Sequence, residues 1–327
     1  MGEIAYHDTV NELHGLGLCG KGPFARVEWF GLLEQAQGLS GQRPFIALAS
    51  DASGAIALPL IRRGKELDIL SNWYAFTWAP LETAGASPAL LDALAGALRA
   101  YSITLTKLDA ADTDRLEAAF RRAGFFVSRD ICDTNHFLAI NGRSFAEYLA
   151  SRPGPLRTTL KRKAKKVEVR LSRHFDAADW AAYEAIYAAS WKPAEGDPAL
   201  LRAFARQESA RGHYLFGMAL ADGQPVAAQF WTVEDGTAYI HKLAHLPAAD
   251  ALSPGTTLTA ALMEQVIDRD RVAQVDFGTG NDSYKADWMD AARPRFALTC
   301  IHPAAPRHWL QLGKALIRHL VSPHSDG

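Results

Sequence analysis

Residues 214–244, YLFGMALADGQPVAAQFWTVEDGTAYIHKLA, followed by residues 253–278, SPGTTLTAALMEQVIDRDRVAQVDFG, decide the fold. The dipeptides Asp222-Gly223 and Asp235-Gly236 each sit between apolar runs, which is the strongest short-range hairpin signal because a two-residue primed turn demands positive φ. Three antiparallel strands are expected, then a helix opening at Ser253-Pro254, then a strand ending at Asp276. The same order occurs earlier, as FIALASDASGAIALPLIRRGKELDIL (45–70) and SPALLDALAGALRAYSITLTKLD (87–109). Gly54 and Gly64 stand where Gly223 and Gly236 do, Ser87 where Ser253 does, and Asp109 where Asp276 does. A whole domain is repeated, too long a unit for a solenoid.

A chain of 327 residues agrees with two domains, and the repeat places them at 1–140 and 141–327. With 48% hydrophobic residues, 22% charged residues and a net charge of -1, the composition is that of an ordinary globular protein without a global pull toward nucleic acid or anionic membrane. Cys19, Cys132 and Cys300 are odd in number and far apart, which argues against a disulfide framework and for a reducing compartment. The opening MGEIAYHDTV has no leader pattern and no stretch approaches a membrane span, so a cytoplasmic location is expected.

Around the repeat, helices are expected from about Thr113 to Ala123, through Phe145 and Leu149 behind a capping box of Ser144 and Glu147, near 179–190, near 198–211 and near 306–320. From Leu156, apolar residues recur at 160, 164, 167 and 171, while Arg157, Lys161, Arg162, Lys163, Lys165, Lys166 and Arg170 fill the rest. That spacing predicts one basic amphipathic helix.

The order of meander, helix and strand, with SPGTTL (253–258) opening the helix and DFGTGNDSYKADW (276–288) after it, resembles the FemAB and BioF2-like branch of the GNAT superfamily. The Ser190-Trp191-Lys192 triplet is similar to that branch as well. The resemblance runs from about Arg152 to Trp288; in the first half it rests on the repeat. It implies an α/β (α+β) protein of tandem GNAT-like folds, each a mixed, mostly antiparallel sheet flanked by helices. The first would be degenerate, because Ala89 stands where Gly255 would admit a donor, and the second would be the acyltransferase.

The implied donor is acetyl-CoA or another acyl-CoA. Its pyrophosphate would sit at the helix start, where Ser253, Gly255, Thr256 and Thr257 offer bare amides and hydroxyls. Typical GNAT loops carry an Arg or Gln and two glycines here; this chain has Gly255 followed by two threonines. The acyl carbonyl would accept from the backbone near Leu243 and Ala244. The resemblance makes Lys285 the cation for developing charge on that carbonyl, Tyr284 the acid for the leaving thiolate, and Asp276 and Asp282 groups that orient Lys285 or the amine. Each has a plain counterpart: a solvated lysine, a packing tyrosine, a turn-capping aspartate. His241 stands as general base or as a half-buried packing histidine. His241 and His245 lie four apart, but in a strand, and no metal is expected.

Trp73, Trp78, Trp191, Lys192 and Trp231 are candidates to line an acceptor cleft, with core packing as the alternative for the tryptophans. The basic segment is either a solvated face or a holder of the donor's 3′-phosphate or of an aminoacyl-tRNA. The function implied is acyl-CoA-dependent N-acylation of a small-molecule or cell-envelope precursor by direct attack on the thioester. The alternatives are a Fem-type aminoacyl-tRNA-dependent transferase and a non-catalytic GNAT-like binding protein.

Overall fold

The computed structural model describes residues 2–36, 43–280 and 283–305. Two compact units emerge, one of residues up to Asp133 together with those from Pro294 onward, the other Thr134–Arg293. The first runs β1 (Glu3–His7), α1 (Val27–Gln35), β2 (Arg43–Asp51), β3 (Gly54–Arg63), β4 (Glu66–Ile69), β5 (Leu81–Glu82), α2 (Pro88–Ala97), β6 (Ser102–Leu108) and α3 (Ala110–Arg122). Strand β7 (Phe126–Ala139) carries the chain into the second unit. There follow α4 (Phe145–Ala150), α5 (Gly154–Lys163), β8 (Glu168–Ser172), α6 (Ala177–Ala189), α7 (Pro198–Ala210), β9 (Tyr214–Ala221), β10 (Gln224–Glu234), β11 (Thr237–His245), α8 (Pro254–Glu264), β12 (Gln274–Thr279) and α9 (Ser283–Trp288). Strand β13 (Ala291–Ile301) returns it to the first.

The two sheets have one plan. In the first, β1-β2-β3-β4-β6-β13 pair in that order, and only the β4–β6 step is parallel. In the second, the order is β8-β9-β10-β11-β12-β7, and only β11–β12 is parallel. Both hairpins of the second meander turn on the residues that predict them: φ is 49° at Asp222, 74° at Gly223, 45° at Asp235 and 70° at Gly236. Two positive values in succession give the primed turn that matches strand twist.

Alternation along β9 sorts the second core into two layers. Phe216 faces Trp180 of α6, and Tyr214 faces Phe230 of β10. Leu215 and Ala219 point the other way, into a cluster with Trp231, Leu258 and Leu262. Gly217 lies on that second side, where a Cβ would come within 2.8 Å of Leu258 Cδ1, so a glycine lets α8 sit close on the sheet.

Four expectations change. The unit boundary falls at 133/134, and the expected second domain of 141–327 ends at Arg293, because β13 pairs with β6. The basic helix stops at Lys163. After a single 3-10 turn, Val167 to Ser172 alternate between inward and outward residues and form the edge strand β8, since a period of two serves a strand that the looser three-and-four spacing also fits. Asp109 is the N-cap of α3, its Oδ1 accepting from Asp112 N–H at 2.8 Å, whereas Asp276 lies inside β12, so the two are not equivalent. Strand β1 and helix α1 arise in an opening where no periodicity marks them. The helix expected near 306–320 lies outside the described residues, as does Asp282. Among the described residues no helix is long and apolar enough to cross a membrane.

Candidate active site

The chemistry-bearing segments of the second unit converge where its parallel step gives out. Pairs between β11 and β12 run through Thr237–Gln274, Ala238–Val275 and Tyr239–Asp276, and then stop, although β11 continues to His245 and β12 to Thr279. On its other edge β11 carries a bulge: Trp231 pairs with Ile240 and Phe230 with Lys242, which leaves His241 as the extra residue. Beyond the bulge, Leu246 N–H donates to Val226 C=O at 2.9 Å. In an antiparallel ladder bonded and non-bonded pairs alternate, so Ala244 N–H also points at β10, while Leu243 N–H points to the side that β12 has left. Of the two candidate oxyanion donors, the geometry leaves Leu243 for that task.

Helix α8 begins beside this gap. Ser253 does not cap it: with φ 52° and ψ 50° it is left-handed, its hydroxyl makes no capping bond, and it instead accepts from Lys163 Nζ at 3.0 Å. Its counterpart Ser87 does cap α2, accepting from Ala89 N–H at 3.3 Å. Pro254 has no N–H, Thr257 N–H donates to Ser253 C=O, and the amides of Gly255 and Thr256 have no acceptor among the described residues. Thr257 is only 6% exposed, and its Oγ1 lacks a hydrogen-bond partner. The start of α8 is anchored by Gln229, whose Nε2 donates to Thr259 Oγ1 at 2.6 Å and to Gly255 C=O at 3.3 Å. Trp231 is fully buried and donates to Gln229 Oε1 at 2.9 Å, so it braces this anchor from the core instead of lining a cleft.

A Cβ at Gly255 would stand 3.3 Å from His245 Nδ1. Asp250 Oδ1 holds the Nε2 of this histidine at 2.9 Å, and Trp191, itself 58% exposed, packs against the ring with centroids 4.4 Å apart and planes tilted by 50°. Lys192 Nζ lies 5.7 Å above the Trp191 ring. His241 turns away from the gap: Thr232 Oγ1 is 2.8 Å from its Nε2, and the rings of Phe230 and Phe204 enclose it.

Asp276 is 1% exposed and belongs to a structural network. Its Oδ1 accepts from Asn135 Nδ2 at 2.7 Å and from Gly278 N–H at 2.8 Å, and its Oδ2 accepts from Arg293 at 2.8 Å. Lys285, 5% exposed, donates from Nζ to the Thr279 carbonyl and lies 5.7 Å from the Phe277 ring centroid. Tyr284 meets the same ring edge-on at 5.7 Å. Trp73 lies in the first unit, exposed and stacked on Tyr74. There Trp78 is buried, its indole donating to the Pro59 carbonyl at 3.3 Å.

A cavity of about 500 Å³ opens on the α6–α7 side, lined by Tyr183, Tyr187, Lys192, Glu195 and Leu201 among others. Lys242 of β11 reaches Glu195 at 2.9 Å on this side, and burial lowers its pKa against the opposing pull of the carboxylate. Elsewhere in the unit Glu208, His213 and Glu234 bring ligand atoms within 4.8 Å of one another, a donor set that could hold a divalent cation.

Sequence reasoning missed Gln229, Asn135 and Arg293, which act through tertiary contacts alone. It noticed His245 only as half of a discarded metal pair. The signal for His245 was its place five residues before Asp250 at the end of the strand that leads to SPG.

Residues 154–286 match the family model described as an acetyltransferase (GNAT) domain. No curated protein matches the sequence. Among solved structures the chain is similar to FemX, at 11% identity and a TM-score of 0.63 over 94% of this chain and 99% of that one. It is similar to the C-terminal domain of a protein assigned as a lysylphosphatidylglycerol synthetase from Agrobacterium fabrum, at 12% identity and a TM-score of 0.55 over 88% and 91%. L-PGS from Bacillus licheniformis matches at 10% identity and a TM-score of 0.56 over 90% and 91%. At such identities these likenesses speak for the fold, and the family model speaks for the domain: residues 154–286 are an acetyltransferase (GNAT) domain, which makes the chain a transferase, and its fold is similar to that of FemX.

Proposed function

We propose that the second unit transfers an acyl group from an acyl-CoA, acetyl-CoA first among them, to an amine on a small-molecule or cell-envelope precursor. The observation that carries this reading is the parting of β11 and β12 beside an uncapped α8. A thin acyl-pantetheine arm fits between parted strands, and an anion fits a helix start that has free amides and no side chain in front. Gly255 supplies that bare approach, and Thr257 Oγ1 is a buried hydroxyl in search of a partner.

In this reading the thioester supplies the activated acyl group, and the amine attacks it directly. Gly255 and Thr256 amides hold the pyrophosphate, with Lys163 and the exposed Lys161, Arg162, Lys165 and Lys166 near the donor's outer phosphate. Leu243 N–H donates to the acyl oxygen as negative charge develops there. As the C–S bond breaks, the thiolate takes a proton, and the amine gives one up; Tyr284 is the nearest phenol in sequence for the first of these transfers. Lys285 anchors the last carbonyl of β12 and so positions the wall of the gap. In this reading Lys192, which lines the α6–α7 cavity, and its neighbour Trp191 meet the acceptor.

The fold likeness to FemX and to the lysylphosphatidylglycerol synthetase domain keeps an aminoacyl-tRNA donor as the second reading, supported by the same exposed basic cluster. Calorimetry with acetyl-CoA, longer acyl-CoAs and aminoacyl-tRNA separates the two. Acetyl-CoA is expected to bind the parent and to lose at least about tenfold in affinity with Gly255→Val, because its side chain would enter the space in front of the amides. Unchanged acyl-CoA binding by that variant overturns the assigned pyrophosphate position, and binding of charged tRNA alone overturns the choice of donor.

A further inference from the structure

The donor cradle contains a histidine for which neither the family pattern nor the acyl-transfer step has a use. His245 ends β11, past the bulge and on the segment that β12 no longer pairs. Its Nε2 is 2.9 Å from Asp250 Oδ1, so the carboxylate accepts from Nε2–H in both the neutral and the charged imidazole. The proton that comes and goes is therefore the one on Nδ1. That atom is buried and lacks a hydrogen-bond partner, and it stands 3.3 Å from where a Cβ at Gly255 would be. It thus faces the helix start whose Gly255 and Thr256 amides have no acceptor among the described residues. The Trp191 ring covers the imidazole at 4.4 Å and limits its rotation.

A buried ring nitrogen left without a partner is costly, and its neighbours here are donors that also lack an acceptor. One kind of ligand suits them: a pyrophosphate, whose several oxygens accept from the two amides and from an Nδ1–H. We propose that His245, held by Asp250, is a proton-dependent ligand of the donor's pyrophosphate, so that donor capture takes up a proton. The proposal rests on the acyl-CoA reading above and adds a residue and a pH dependence to it.

Among the described residues, three charged groups other than the ring are placed around this site. Asp250 follows β11 and fixes Nε2; Lys163 of α5 reaches Ser253 Oγ; Lys192 lies beyond Trp191. Helix α8 contributes none in its first turn. The sign follows. The protonated ring donates Nδ1–H to the phosphate; the neutral ring presents a lone pair to an anion, so affinity falls as the proton is lost.

Calorimetry with 3′-dephospho-acetyl-CoA tests this, because that probe keeps the pyrophosphate but lacks the phosphomonoester, which itself titrates near pH ~6. Measured between about pH 6 and about pH 8, in two buffers of different ionisation heat, the parent is expected to weaken about tenfold with rising pH, the worth of one charge-assisted bond, and to take up about half a proton at the midpoint, the most that a tenfold linkage allows. His245→Gln should bind with a flat pH profile and no proton uptake, at an affinity near that of the parent at high pH. Asp250→Asn, a variant outside the cradle itself, should shift the profile toward lower pH without abolishing it. Lys163→Met should weaken binding equally at all pH values. If the parent binds the probe with a flat profile and no proton uptake, His245 has no such role, and the acyl-CoA reading stands as long as Gly255→Val still weakens binding at least about tenfold. If the parent binds no acyl-CoA at any pH, both fail.

Discussion

At the scale of single residues, burial decides what a group can do. Asp276 was a candidate to orient the reacting groups, yet both of its oxygens are engaged by Asn135, Gly278 N–H and Arg293. A buried carboxylate so committed closes the end of β12 and leaves nothing for a substrate. Asp276→Asn removes the charge that pairs with Arg293, which keeps its bond to Asn135, and one acceptor from the network, and should cost about 3 kcal/mol in the stability of the second unit, read from urea unfolding. Under native conditions the same variant should bind acyl-CoA within about twofold of the parent, a difference of less than ~0.5 kcal/mol. A large loss of affinity in a protein that unfolds normally would return Asp276 to the active machinery. The sequence holds no trace of this distinction, because Asn135 and Arg293 are far from Asp276 along the chain.

At the scale of elements, the start of α8 shows how much of the candidate site is legible. The Ser-Pro-Gly run predicts a helix start, and one forms at Pro254. The run does not reveal that Ser253 turns left-handed and surrenders its capping role, which is the feature that leaves the amides of Gly255 and Thr256 without acceptors. Left-handed backbone costs an ordinary side chain roughly 1–2 kcal/mol and glycine little. Ser253→Gly should therefore melt no lower than the parent despite losing the Lys163 contact, whereas Ser253→Val should melt several degrees lower, since a β-branched side chain tolerates that conformation least. Equal melting of the two variants would mean that Ser253 is not left-handed in solution. The hairpins at Asp222-Gly223 and Asp235-Gly236 were fully legible, because primed turns need those residue types locally. The segment after Lys163 was not: Val167 and Leu171 fit a helical stripe and a strand equally well, and pairing with β9 chose the strand.

At the scale of the whole molecule, the repeat yields two sheets of the same order, each with its single parallel step at the same place. The last strand of the first unit comes from the far end of the chain: β13 pairs with β6 through Phe296–Leu108, Leu298–Leu105 and Cys300–Ile103. A chain ending at Arg293 should thus leave β6 as an open edge and bare the apolar residues that β13 covers. Its first unit is expected to unfold at lower temperature or denaturant than in the full chain and to be cut first by protease, while fragments spanning 134–293 persist. Uniform loss of both units, or of neither, would show that β13 does not complete the first sheet.

The sequence by itself determined the duplication, the turn positions, the α/β class and the helix start on which the GNAT resemblance rests, because each depends on residues close together in the chain. Tertiary structure alone decided where the second unit ends, which of Leu243 and Ala244 offers its amide to the gap, that Asp276 and Trp231 serve the core, and that His245 faces Gly255. Those outcomes depend on hydrogen bonds and burial between distant segments, and neither has a local signature from which to be read.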